Sequence, residues 1–348
     1  MAGDSISVDA LIFGGGAAGL WLLDELVRAG HSALLLEANS LGDGQTVLSQ
    51  GIIHGGFKYT LTGAFSDSAD AIKQLPQRWR ACLAGQAKPD LGETKLRGDF
   101  CYLWSTGRLL SKLGMMAASW VLQVKPKTIP KQEWPAMLAG TRGSVSRLDE
   151  QVLVPRSFIA ALAKQHESRL LHVGSPRRYE IECDRSHAVQ RVTLLDDESG
   201  ASLSIQPRHV ILTAGKGNAA LRQACGLSAD AMQIRPLHVI MARGPLPDFN
   251  GHCIDGNKTR VTITTDTDSQ GRRIWQLGGQ VSEDGGKMSR AELIEHTRRE
   301  LKDVLPGASF EGVEWSTYRA DRAEGATRGG GRPSDAIIHH DGNVITCW

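Results

Sequence analysis

The hydrophobic rhythm changes three times within the first forty residues. Residues 6–13, ISVDALIF, are a short apolar run of the buried-strand kind, and AAGLWLLDELVRAG then sets Leu20, Leu23, Leu26 and Val27 on one face at helical spacing. Gly30 ends that helix, and HSALLLEA supplies a second apolar strand that finishes at Glu37. Strand, glycine turn, helix and strand in that order demand a parallel sheet, because two strands joined through a helix run the same way.

After a polar, glycine-rich loop over 39–63, SDSADAIKQLPQRWRACL predicts a helix with a kink or break at Pro76. FCYLWS (100–105) predicts a strand, and 106–150 mixes helix with Pro- and Lys-containing loops. SFIAALAKQ then predicts a helix and RLLHV a strand. AVQRVTLLD and ASLSIQ read as strands joined by a hairpin turn at DDESG, and RHVILTAG as a separate buried strand of the parallel kind. From about 231 to 285 the runs LHVIMAR, RVTITTD and RIWQLGG alternate between Gly- and Asp-containing turns, which predicts a largely antiparallel second sheet. Ser289 and Glu292 stand at capping-box spacing before a helix reaching about Leu305.

A chain of 348 residues exceeds what one core organises, so two domains are expected. Lys and Arg number 40 against 38 Asp and Glu, and a net charge of +2 gives no reason to expect nucleic acid or an anionic membrane as the main partner. Any charge on a substrate must therefore be met locally. Cys82, Cys101, Cys183, Cys225, Cys253 and Cys347 lie far apart with no CxxC, which fits reduced thiols in a cytoplasm. No apolar run approaches the roughly 18 residues of a membrane span, although contact with the inner face of a membrane stays open. No metal-ligand spacing occurs: His339 and His340 are adjacent, and neighbours on a strand point opposite ways.

The glycine turn carries the first chemistry. Gly14, Gly16 and Gly19 form GxGxxG between a strand and a helix, with Glu37 ending the next strand. The first glycine makes the tight turn, the second admits a pyrophosphate against bare N–H groups, and the third lets helix and strand close up. The free N–H groups around Gly16, Ala17 and Ala18, together with the helix dipole, attract phosphate, and Glu37 beside Ala38 would hold ribose hydroxyls. FAD and NAD use the same device, and this segment alone does not separate them.

Further segments do. GGGAAGL with LLLEA, TVLSQGIIHGGFKY (46–59), VLVPRSFIAALA (152–163), HVILTAGKGN (209–218), RPLHVIMARGPLP (235–247), WQLGGQ (275–280) and YRADRAEG…GGRPSD (318–335) resemble the FAD-dependent oxidoreductases of the D-amino-acid oxidase superfamily. Within it the chain is most similar to the glycerol-3-phosphate dehydrogenase and 2-hydroxyglutarate dehydrogenase branch. The resemblance implies FAD as cofactor and an α/β fold: a Rossmann-like FAD-binding domain with an inserted, mainly antiparallel-sheet α+β substrate domain. The expected division is 1–75, 150–230 and 310–348 for the FAD domain, and 76–149 and 231–309 for the substrate domain.

Site residues follow from the same resemblance. The segment containing Ser49, Gly51, His54, Gly55, Lys58 and Tyr59 has few bulky side chains, suits backbone lying on a flat cofactor, and in the resembled branch passes along the flavin. Ala214 and Gly215 would pass near the phosphate and ribose, and Val154 beside the adenine half. An anionic substrate beside a flavin needs a fixed cation, which the resemblance places at Arg319 and Arg332, with Arg322 and Arg328 as nearby competitors. His238 is either a proton acceptor facing the flavin or a hydrogen-bonded core histidine.

The expected activity is oxidation of a small anionic substrate (a 2-hydroxy acid, a polyol phosphate or an amino acid) by hydride transfer to flavin, with oxygen or a quinone as acceptor. The family continues past a segment like DGNVITCW into a loop and helix that cover the flavin, whereas this sequence stops at Trp348. The alternative expectation is therefore an FAD-binding module or subunit impaired in turnover.

Overall fold

A computed structural model describes residues 4–54, 67–107, 126–174, 177–256, 258–333 and 335–348, with backbone alone over 67–74. The opening unit forms as the rhythm requires: β1 (Asp4–Phe13), α1 (Ala17–Arg28) and β2 (Ala33–Glu37). β1 and β2 run parallel, with Ala10 opposite Ala33 and Phe13 opposite Leu36. β1 is apolar without interruption at its end because both its faces are covered. Ala10 and Ile12 pack with Leu20 and Leu23 of α1, while Leu11 and Phe13 pack on the other side with Val189, Val192 and Leu221.

α2 (Asp67–Leu83) continues through Pro76, where the sequence predicts a kink or break. Tertiary packing accounts for the difference: Trp79 lies 4.9 Å from Trp21 and 5.1 Å from Phe158 of α3 (Pro155–Lys164), and Cys82 is fully buried beneath it. β3 (Ser202–Leu212) likewise joins what the sequence divides into two strands. It runs parallel to β1 along its length, and on its other flank it exchanges Val189–Asp196 for Val344–Cys347. Pro207 falls in the gap between those two partners, where a missing ladder donor is tolerated. The main path of this sheet reads Ile338–Asp341, Val344–Cys347, β3, β1, β2, Leu170–His172.

The second sheet contains β4 (His238–Gly244), β5 (Gly251–Asp255), β6 (Lys258–Thr267), β7 (Arg273–Gly278) and, beyond α4 (Arg290–Val304), β8 (Glu314–Arg319). Its order is β8, β4, β7, β6, β5, followed by Cys101–Trp104, Val145–Leu148 and Lys127–Thr128. Every pairing is antiparallel except that of β5 with Cys101–Trp104. α4 starts with the predicted capping box, Ser289 and Glu292 each satisfying the other's backbone N–H. It covers one sheet face, setting Leu293, Leu301 and Val304 against Ile240, Ala242, Trp275 and Leu277. By strand alternation the opposite face carries Met241, Gln276, Thr262, Thr264 and Tyr318.

Two stretches sit differently from the expected division. Residues 76–91 pack on the first sheet through Trp79, Cys82 and Leu91, and β8 pairs with β4 in the second. Met232–Arg235 and Arg322–Gly325 form a small ladder of their own. No disulfide joins any of the six cysteines. Among the described residues no helix is long and apolar enough to cross a membrane.

Candidate functional site

The glycine turn is built as a cradle. Gly14 has φ +106°, and a Cβ there would lie 2.5 Å from the Ala214 Cα; a Cβ on Gly19 would run into the Gly14 carbonyl oxygen and come 2.7 Å from Thr213 Oγ1. These two glycines let the ends of β1 and β3 and the start of α1 close on one another. Gly16 differs, because it is the N-cap of α1 in ordinary extended geometry and only Thr46 Oγ1, at 3.2 Å, would meet its Cβ. The Ala17 N–H donates to Thr46 Oγ1 (3.1 Å), while those of Gly16, Ala18 and Gly19 have no acceptor among the described residues. Bare donors at a helix N-terminus are an anion site, and the structure fits the diphosphate of a dinucleotide there.

Glu37, at the end of β2, accepts hydrogen bonds from Gly15 N (2.6 Å) and Asn39 N (2.8 Å). The strand beside Glu37 and the exposed Ala38 is Leu170–His172, continued by Val173, whose N–H donates to the Glu37 carbonyl. Val154 lies elsewhere: it is the N-cap of α3 and donates to the Lys95 carbonyl (2.8 Å). Ala214 and Gly215 sit at the end of β3 against Gly14, with Gly215 at φ +55°.

Residues 41–54 connect the cradle to the second sheet. Gly42 N donates to the Gly15 carbonyl, and Gln45 Oε1 accepts from Ala323 N (2.8 Å). Gln50 Nε2 donates to the Gln276 carbonyl (2.9 Å), and the Leu48 carbonyl accepts from the Tyr318 hydroxyl (3.0 Å). Burial pushes the Tyr318 phenol up to about 12, with Arg97 opposing. Ser49 is exposed, whereas Gly51 (φ +72°) lies so close to the Leu153 carbonyl that a Cβ would collide with it. Gly55, Lys58 and Tyr59 lie outside the described residues.

The basic residues separate by their partners. Arg319 donates to the carbonyls of Gly286 (2.6 Å) and Met288 (3.4 Å), so its guanidinium is engaged by a turn. Arg235 is paired with Glu324 and Glu283. Arg322 is exposed yet walled by protein, and its guanidinium has no hydrogen bond or ion pair among the described residues. Burial, followed by repulsion from Arg235 and Arg332, holds its pKa below the ordinary arginine value. Glu324 and Glu283 act on it in the opposite, favourable sense.

His238 shares the helix-covered face with Ile240 and Ala242. Its Nδ1 is 3.3 Å from the Gly285 carbonyl and its Nε2 2.8 Å from Thr317 Oγ1, the geometry of a hydrogen-bonded core histidine. His54, with its side chain 32% exposed, meets two residues the sequence gave no reason to select. Its Nδ1 is 3.6 Å from Glu150 Oε2, and the same oxygen lies 3.1 Å from His252 Nε2. Thr46 also escaped sequence reading, its only signal being the small polar run before the HGG turn.

Comparison with known proteins agrees with this geometry. The family model described as FAD dependent oxidoreductase, DAO, matches residues 9–345. The probable FAD-dependent oxidoreductase PA4991 of Pseudomonas aeruginosa is 38% identical over 349 residues, which take in 99% of this chain and 87% of that protein. Its crystal structure superposes with a TM-score of 0.81 at 35% identity, covering 100% of this chain and 86% of that one. Glycine oxidase from Geobacillus kaustophilus shares the fold at 18% identity and a TM-score of 0.66, over 98% of this chain and 88% of its own. A cradle fitted to a dinucleotide and a family match spanning nearly the whole sequence lead to one assignment: the chain belongs to the DAO family of FAD-dependent oxidoreductases.

Proposed function

We propose that the protein oxidises a small anionic substrate, a 2-hydroxy acid, a polyol phosphate or an amino acid, with Arg322 as its anchor and His54 as its proton acceptor. The observation that carries this reading is Arg322 itself. A guanidinium with no hydrogen bond or ion pair among the described residues, in a partly desolvated place where Arg235 and Arg332 each repel it more than Glu324 or Glu283 attracts it, is stabilised when an anion arrives. Carboxylate and phosphate both match its two parallel donors.

The bare amides of Gly16, Ala18 and Gly19 would hold the FAD diphosphate, Glu37 its ribose, and Ala214 and Gly215 would flank them. FAD when bound supplies the hydride acceptor. The chain's residues supply what that chemistry lacks. Arg322 fixes the anionic end of the substrate, and the face of the second sheet with Gln276, Thr264 and Tyr318, where Arg97 pairs with Asp266, offers a polar wall. His54 takes the proton that leaves the substrate hydroxyl or amine as its carbon becomes a carbonyl or imine. Dioxygen or a quinone regenerates the oxidised enzyme.

Anaerobic mixing of the FAD-loaded protein with a panel of these anions and their neutral esters or amides tests the reading. Bleaching of the oxidised-flavin absorbance by an acid but not by its neutral analogue is expected. Equal bleaching by neutral analogues, or none by any anion, would overturn it.

A further inference from the structure

The carboxylate of Glu150 sits where two histidines from distant parts of the chain meet. Its side chain is 3% exposed and that of His252 2%. His252 stands opposite Thr262 in the register of β5 with β6, so both side chains share one sheet face. The Thr262 hydroxyl lies 3.0 Å from His252 Nδ1, which turns Nε2 toward Glu150 at 3.1 Å. Glu150 Oε2 is also 3.6 Å from His54 Nδ1, the two imidazole centres being 5.6 Å apart. Burial would raise the Glu150 carboxyl, but the charge of His54 and the hydrogen bond from His252 outweigh it and hold the group well below the usual carboxylate range. That ionised carboxylate is met by Nε2 of His252 and faces Nδ1 of His54.

We infer that Glu150, itself fixed by His252, is a positioning residue for His54: it keeps Nδ1–H directed at the carboxylate and leaves Nε2 to receive the substrate proton. The inference rests on the reading of His54 as proton acceptor. In the step concerned a proton passes from the substrate oxygen or nitrogen to His54 Nε2, giving an imidazolium that the Glu150 charge stabilises. Glu150 stays ionised throughout. Orientation of a base by a buried carboxylate in this way selects its tautomer and supports the cation it becomes. The ligand-type atoms of all three residues lie within 4.8 Å of one another, so a divalent cation is the competing occupant.

The test uses the full FAD-loaded chain, with flavin reduction followed anaerobically across pH. Glu150→Gln is expected to keep its flavin and its substrate dissociation constant but to reduce ~100-fold more slowly. The ascending pH limb should move down by about one unit, since loss of a nearby negative charge makes the imidazolium more acidic, and Glu150→Asp should recover part of the rate. A wild-type rate and limb in Glu150→Gln, with His54→Gln collapsed, would overturn this inference alone. A wild-type rate in His54→Gln would instead overturn the parent reading. Stoichiometric zinc that Glu150→Gln loses, with reduction by the unaltered enzyme abolished by a chelator, would also overturn the inference in favour of a metal site. Should the Glu150 variants fail to fold, 15N NMR of histidine-labelled unaltered protein decides: an Nδ1–H tautomer at His54 is expected, and an Nε2–H tautomer contradicts it.

Discussion

Gly16 and Gly19 belong to one motif but fail differently when given a methyl group. Gly19→Ala drives a Cβ into the Gly14 carbonyl, against backbone that cannot yield, so the fold itself should lose several kcal/mol, roughly the cost of core overpacking. Gly16→Ala meets only the Thr46 hydroxyl and keeps ordinary backbone angles, so the apoprotein should melt as the wild type does while FAD binding weakens ~10-fold or more. Thermal melting of the apoproteins, paired with FAD titration by fluorescence, separates the two outcomes. This cradle was legible in the sequence because glycine spacing and a strand-ending acid act within one local unit. Arg322 was legible only as a competitor to Arg319 and Arg332, since which arginine is engaged depends on where the Gly286 and Met288 carbonyls come to lie. Glu150 and His252 left no local signal at all, being brought to His54 from about a hundred and two hundred positions away by sheet register.

Elements with a strong period and chemical end signals were the most legible. α4 begins where Ser289 and Glu292 indicate, and Ser289→Ala should lower the unfolding free energy by about 1 kcal/mol in urea titration while leaving flavin reduction unchanged. α2 and β3 departed from expectation at Pro76 and Pro207 for related reasons: packing of Trp79 on Trp21 and Phe158 carries the helix past one proline, and a change of sheet partner accommodates the other. β8 adds a pH signature. Burial pushes its Tyr318 phenol up to about 12, against about 10 in an unfolded chain. Stability from this raised pKa is complete below about pH 10 and is lost as pH rises toward 12. Tyr318→Phe should therefore lose less stability than wild type between those pH values, measured by denaturant unfolding; identical slopes would contradict the buried, neutral phenol.

At the scale of the molecule, residues 41–54 tie the cradle to the second sheet, through Gln50 to Gln276 and Leu48 to Tyr318, and through Gln45 to Ala323 of the small separate ladder. The parallel and the antiparallel sheet were visible in the hydrophobic rhythm, but which segments join each was not. Residues 76–91 pack on the first sheet because Trp79 and Cys82 face α1 and α3, and β8 joins the second because its register with β4 leaves it there. That arrangement places Arg322, which has no hydrogen bond or ion pair among the described residues, one residue beyond Asp321, whose carboxylate accepts from Leu237 N and pairs with Lys216. The central claim is that this guanidinium holds an anion beside the flavin, and the most direct measurement is the perturbation of the bound-flavin spectrum by a non-reacting carboxylate or phosphate. Arg322→Leu should weaken saturation roughly 30- to 150-fold, the loss of a charge-assisted bidentate contact of about 2–3 kcal/mol, while Arg319→Leu leaves it unchanged. Equal anion affinity in Arg322→Leu and wild type would contradict the account.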